Sequence, residues 1–265
     1  MNRTDTPTLG ILGTGMLGSA IARGLLDAGA CDDSTLVLCN RSGTCPALAD
    51  RPGLAITTDP ADLCARCNAL LLCLPPAATA TLVLPAADHL VLSVMAGVTL
   101  QRLGGITGSA RLVRAMSSPA AALGLAYGPW IATPDCTAAD RDRTRGLFAA
   151  IGETDEIGQE SLIDQFTAMT GPVPGFVAFF ADAMIRHAES AGAPPEVALR
   201  AVRQLFLAGG RMMAEDETTP AEHLRGMIDY AGTTAAGLTL LAGGNTREEI
   251  SRALDAAADR CRTIV

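Results

Sequence analysis

The chain contains no lysine: all 20 of its basic residues are arginines. Mechanisms that need a lysine amine as Schiff base, proton donor or phosphate anchor are therefore excluded. Aromatic residues make up only 3% of the sequence, and the net charge is −8 with a pI near 4.9. Both features argue against nucleic acid as a partner, which calls for a basic surface interleaved with aromatics. Charge is absent over Asn68–Ala87 and Ala115–Pro134, but each stretch holds three prolines. Neither reads as a membrane helix, and no membrane partner is expected. The segment Met1–Pro7 is polar and lacks the apolar core of a signal peptide, which points to a cytoplasmic protein. Metal-ligand spacing is also missing. The eight cysteines are scattered, and Cys64-Ala65-Arg66-Cys67 has no second pair to accompany it. They read as small hydrophobes, and no metal is expected.

What is present begins at Leu9-Gly10-Ile11-Leu12, an apolar strand that runs into Gly13-Thr14-Gly15-Met16-Leu17-Gly18. Three glycines at this spacing have separable tasks. Gly13 permits a tight strand-to-helix turn, Gly15 lets the backbone approach a pyrophosphate, and Gly18 lets the helix pack on the strand. The helix start, with the N–H groups of Met16 and Leu17, offers donors and a positive dipole end to phosphates.

Short apolar runs then alternate with helical patterns. Strands are expected at 8–12, 35–39, 54–57, 69–74, 90–95 and 111–115, with weaker candidates at 128–132 and 153–157. Helices are expected at 15–28, 59–67, 99–104 and 137–150. This alternation predicts an α/β, doubly wound parallel sheet over residues 1–158. Beyond Gly158 the strand signal stops. Six helical segments separated by glycines and prolines predict an all-α region over 159–265, rich in the small residues that suit a closely packed helical dimer.

The second strand, Leu36-Val37-Leu38-Cys39, is followed by Asn40-Arg41-Ser42 and not by the carboxylate that accepts from an NAD ribose. Arg41 suits a 2′-phosphate, with Asn40 and Ser42 adding hydrogen bonds, so the expected cofactor is NADP(H). Further contacts are expected beyond the carboxyl ends of the next strands, from Leu74 and Pro75 and, on the nicotinamide side, from Ala96 and Gly97. Helix–strand packing is an equal reading of these small residues.

Together the motifs resemble the Δ1-pyrroline-5-carboxylate reductase family over nearly the full chain. The pieces that carry the likeness are Gly13–Ala20, Asn40-Arg41-Ser42, Ser93–Thr99, Val113-Arg114-Ala115-Met116, Ile151–Ile157, Leu224-Arg225-Gly226-Met227 and Ala231–Leu238. The resemblance implies an N-terminal Rossmann domain, a C-terminal dimerisation domain, and NADPH-dependent reduction of the C=N bond of a small cyclic imine. It further implies that Gly232, Thr233 and Thr234, at a helix start, hold a substrate carboxylate. N-capping is the simpler role for the two threonines.

Departures from the family pattern fall on the substrate side. Met116-Ser117-Ser118-Pro119 replaces Met-Pro-Asn-Thr-Pro, and Pro75-Pro76 replaces Lys-Pro. Thr170-Gly171-Pro172-Val173-Pro174-Gly175-Phe176 opens the helical region, and Tyr230-Ala231 precedes Gly232. Met116, Ser117, Thr170 and Phe176 join the substrate-binding candidates. Thr233, Asp229 and Tyr230 are the candidate proton donors, and the three histidines read as structural. A β-hydroxyacid dehydrogenase, which needs a lysine, is excluded. A non-catalytic NADP-binding regulator stays open as the alternative.

Overall fold

A computed structural model describes residues 8–264; the polar segment 1–7 and Val265 lie outside the described residues. The chain forms β1 (Leu9–Leu12), α1 (Met16–Asp27), β2 (Leu36–Cys39), β3 (Ala55–Thr57), α2 (Pro60–Arg66), β4 (Ala69–Leu72) and β5 (Leu90–Ser93). Next come α3 (Leu100–Thr107), β6 (Leu112–Ala115), β7 (Ala126–Tyr127), β8 (Trp130–Ala132), α4 (Ala138–Ala149) and β9 (Gly152–Glu153). Helices α5 (Ser161–Thr170), α6 (Gly175–Ser190), α7 (Pro195–Glu215), α8 (Pro220–Asp229), α9 (Thr233–Gly243) and α10 (Thr246–Arg262) complete it.

The main sheet has the order β3-β2-β1-β4-β5-β6-β8. Its strands are parallel except β8, which runs antiparallel to β6. Five of them, β1, β2, β4, β5 and β6, are buried at all four positions. Unbroken apolar runs are what a parallel sheet covered on both faces requires. Alternate side chains feed two cores. Leu9, Ile11, Leu36 and Leu38 pack with Ile21 and Leu25 of α1 and Phe148 of α4. Leu12, Val37, Leu70 and Leu72 pack with Leu63 of α2 and Leu103 of α3.

Two strand expectations are corrected. The run 128–132 is broken by Gly128-Pro129: β7 ends at Tyr127 and β8 begins at Trp130. Proline has no N–H to give to a ladder, and a Cβ on Gly128 would press against the Phe148 ring at 2.8 Å. Of 153–157, only Glu153 is strand. The rest follows Trp130 through an isolated bridge at Glu156, with Trp130 N–H donating to the Asp155 carbonyl at 2.9 Å.

Compact packing divides the chain into Met1–Gly171 with Asp255–Val265, and Pro172–Leu254. The division follows α5, whereas the boundary read from the sequence at 158/159 precedes it. Arg114 of β6 is ion-paired to Asp164 of α5, which holds that helix to the sheet. In the second unit α6 packs on α7, and α8 on α9. α6 has no buried residue although it carries Val177, Phe179, Phe180 and Met184. The stretch 161–190 is apolar enough to cross a membrane by length and composition, but Pro172 and Pro174 interrupt it between α5 and α6.

Candidate active site

The chain leaves β1 for β2 and β3 on one side and returns to β4 on the other, so β1 and β4 flank the point where the winding reverses. Loops beyond the carboxyl ends of such strands border a ligand crevice. The register pairs Leu12 with both Cys39 and Leu72, and Leu72 with Ser93, which sets four loops side by side at this edge.

The three glycines divide the work by space. Gly13 has φ +98°, and a Cβ there would lie 2.8 Å from the Cys73 carbonyl oxygen. A Cβ on Gly18 would come within 1.9 Å of the Gly13 carbonyl oxygen. At Gly15 a Cβ would meet nothing within 4 Å, so that side is open. Gly15 is the N-cap of α1, with no side-chain cap and no acidic residue in the first turn. The first N–H groups of α1 are thus left for an anion, and Met16 beside them is 78% exposed.

The second loop is organised by Asn40. Its amide nitrogen donates to the Thr14 hydroxyl and, at 2.8 Å, to the Thr44 carbonyl. Its amide oxygen accepts from Gly43 N–H at 2.8 Å and from the Ser42 hydroxyl at 3.0 Å. Asn40 therefore ties the fingerprint turn to the loop after β2, a positioning role. Arg41 is exposed and has no ion-pair partner among the described residues, whereas Arg23 and Arg51 nearby are paired with Asp50 and Asp27. A guanidinium so placed is able to meet a phosphate.

Leu74 packs against the fingerprint turn, its Cδ2 being 2.9 Å from where a Gly13 Cβ would stand, and Pro75 leads into a 3-10 turn over Pro76–Ala80. Ala96 and Gly97 are half-buried, and Gly97 has φ +71°. Cys73 is held up in pKa by burial and stays a thiol.

Beyond β6, Met116 and Ser117 are buried, and the Ser117 hydroxyl has no hydrogen-bond partner among the described residues. Thr170 donates its hydroxyl to the Met116 sulfur at 3.3 Å and to the Phe166 carbonyl at 3.0 Å. These three residues belong to the first unit.

In the second unit, Phe176 lies in the first turn of α6, half-buried. Gly232 is the N-cap of α9, and no side-chain cap bond is made there. Thr233 and Thr234 are the first two residues of that helix and are exposed, so the capping role is not the one they take. The start of α9 has uncommitted N–H groups and two hydroxyls, which suits a carboxylate. The Tyr230 ring lies over Gly232, 3.3 Å from where a Cβ would stand, and is 85% exposed. Asp229 ends α8 and is exposed.

Among the described residues no group of three or more His, Cys, Asp or Glu is placed to hold a metal ion. All eight cysteines are free. His89 is buried with Nε2 2.9 Å from the Cys64 carbonyl, and His223 faces Asp216 at 3.6 Å. Sequence reasoning missed Thr14 and Thr44 as anchors of the cofactor loop. It also passed over the buried Arg114, although a lone arginine inside the apolar pattern of β6 was the available signal.

The family described as pyrroline-5-carboxylate reductase dimerisation matches residues 160–264, and the one described as NADP oxidoreductase coenzyme F420-dependent matches residues 8–97. The chain is 26% identical over 266 residues to a pyrroline-5-carboxylate reductase of Pisum sativum, covering 98% of this chain and 97% of the other. The solved 1-pyrroline-5-carboxylate reductase of Streptococcus pyogenes is 25% identical with a TM-score of 0.81, over 97% of this chain and 98% of that one. A Plasmodium falciparum pyrroline carboxylate reductase with NADP bound shares the fold at 21% identity and a TM-score of 0.84, over 98% of each chain.

Proposed function

The chain belongs to the pyrroline-5-carboxylate reductase family, and from that premise we propose that it reduces the C=N bond of a small cyclic imine with NADPH. The observation that carries this reading is a likeness spanning both chains nearly end to end, with the dinucleotide crevice and the open α9 start in one sequence. Pyrroline-5-carboxylate, giving proline, is the substrate implied, which places the protein in proline biosynthesis. The altered Met116–Pro119 and Tyr230-Ala231 segments favour a related imine as the second choice. A non-catalytic NADP-binding regulator is not favoured.

The residues present fit NADP(H). Gly15 leaves open space where a side chain would block the pyrophosphate, the α1 N-terminus is uncapped, and Arg41 has no ion-pair partner among the described residues. Bound NADPH would supply the hydride. Gly13, Gly18 and Asn40 shape the turn, the N–H groups of Met16 and Leu17 meet the pyrophosphate, and Arg41 with Ser42 meets the 2′-phosphate. Leu74, Pro75, Ala96 and Gly97 line the cofactor. Thr233 and Thr234 hold the substrate carboxylate with their hydroxyls and N–H groups. Many cyclic imines are already protonated near neutral pH, so orientation supplies most of the rate. Asp229, Tyr230 and Thr233 are our candidates for delivering a proton to the imine nitrogen. No lysine is needed.

The dimerisation match and the exposed apolar side chains of α6 and α7 support a homo-oligomer. Eight free thiols suit a reducing compartment, and we place the protein in the cytoplasm. The test is NADPH oxidation, followed by absorbance, with pyrroline-2- and 5-carboxylates, piperideine carboxylates and carboxyl-free pyrrolines. Turnover of a carboxylated imine is expected. Tight NADPH binding with no turnover across the panel would overturn the assignment.

A further inference from the structure

Arg114 is charged yet only 2% exposed, on β6 between Val113 and Ala115. Its Nη1 donates to Glu160 Oε1 at 3.1 Å and its Nη2 to Asp164 Oδ1 at 2.5 Å. Each carboxylate has a second task. Glu160 Oε1 also accepts from the backbone N–H of Leu100, the first residue of α3, at 2.8 Å. Asp164 Oδ1 accepts from the Cys261 thiol at 3.3 Å, and the Cys261 sulfur lies beside the Gly97 N–H. All of these residues lie in one compact unit.

The cluster thus holds the segment 97–100 through Leu100, with the Cys261 sulfur beside Gly97, and stands at the root of Met116–Ser117. Within that segment Gly97 has φ +71°, and its local turn bond, Val98 N–H to the Met95 carbonyl, is a long 3.3 Å. Stability alone is a weak reason to keep such a cluster, because well-packed apolar residues often replace a buried ion pair at no loss. What ions and directional bonds supply is geometry. Hydride transfer is sensitive to it, since a 1 Å displacement of a reacting group costs on the order of a hundredfold in rate.

We propose that Arg114, Glu160, Asp164 and Cys261 form a positioning cluster that fixes the Gly97 turn and the Met116–Ser117 segment for hydride transfer. The inference rests on the reading of Ala96 and Gly97 as the nicotinamide side of the proposed reductase site. None of the four residues touches the reacting atoms; they act through the two loops they hold.

The gentlest perturbation is Cys261→Ala, which removes the thiol bond to Asp164 and the sulfur beside Gly97 and leaves every charge paired. Cys261→Ser restores a donor and an acceptor. Glu160→Ala releases Leu100 while Arg114 keeps Asp164, and serves as a second variant. Each protein is examined for NADPH affinity by fluorescence titration, for the emission maximum of the bound nicotinamide, and for single-turnover hydride transfer. Cys261→Ala and Glu160→Ala are expected to slow transfer about tenfold while the NADPH Kd stays within about threefold, with emission shifted toward that of free NADPH. Cys261→Ser is expected to recover the rate and the emission.

Wild-type rate and emission in both alanine variants would overturn the cluster's role, as would failure of Cys261→Ser to rescue a slowed Cys261→Ala. If the wild-type protein binds NADPH but reduces no imine, the proposed reaction fails separately. The emission comparison then decides the cluster: unshifted emission in both alanine variants rejects it, and a shift restored by serine supports it.

Discussion

A Cβ on Gly18 would sit 1.9 Å from the carbonyl oxygen of Gly13, whereas one on Gly15, three residues earlier, would touch nothing within 4 Å. The two substitutions should therefore fail in different ways. Gly18→Ala must push α1 off the turn and is expected to lower stability by about 2 kcal/mol or more, in the range of overpacked cores. Gly15→Ala should leave the melting temperature near wild type and still weaken NADPH at least tenfold, because the methyl group points into the crevice. Calorimetry and a fluorescence titration on both variants separate these outcomes. Equal destabilisation would mean that Gly15 serves packing and not the cofactor.

Arg41 and Asn40 offer a second contrast. Arg41→Ala removes an exposed guanidinium without an ion-pair partner among the described residues, so stability should hold while NADPH binding weakens by about 1.5–3 kcal/mol, as for a charge-assisted contact. NADH binding should change little. Asn40→Ala frees Thr14 and Thr44 together and should weaken both cofactors alike. Parallel losses for NADPH and NADH in Arg41→Ala would show that the arginine does not meet the 2′-phosphate.

At the start of α9, Thr233→Ala and Thr234→Ala should raise KM for a carboxylated imine and leave a carboxyl-free pyrroline nearly untouched. The comparison of kcat/KM between the two substrate types reads the carboxylate contact directly. A uniform fall for both would reassign the threonines to catalysis or folding.

Acid stability should depend on Asp32. Hydrogen bonds from Ser34, side chain and backbone, and from Thr35 hold its carboxyl down from 3.8 to about 2. A carboxylate with a depressed folded pKa contributes stability above its unfolded value, and loses it as pH falls through the folded value. The difference in melting temperature between wild type and Asp32→Ala should be largest at pH 5–7, narrow below about pH 4, and close near pH 2. A pH-independent difference would locate the effect elsewhere.

Much of this protein is legible in its sequence because the signals are local. Strand runs such as Leu36–Cys39, the fingerprint turn and the helix breaks at Gly171–Pro174 depend on neighbours a few residues away, and each falls within a residue or two of its expected place. Gly128-Pro129 is an exception that local chemistry also explains, since a proline cannot join a ladder. The absence of lysine, and of a carboxylate after Cys39, equally needed no coordinates.

What only the tertiary structure decided are the relationships between distant residues. Asn40 looks like a ligand contact in the sequence, but its amide is spent on Thr14 and Thr44. Arg114 looks like one charge in an apolar strand, yet it meets Glu160 and Asp164, 46 and 50 residues away, and through Asp164 the Cys261 thiol near the C-terminus. Backbone preference and hydrophobic period act within a turn or a strand and are written in order along the chain. Hydrogen bonds between buried charges act across space, and folding alone determines which residues they join.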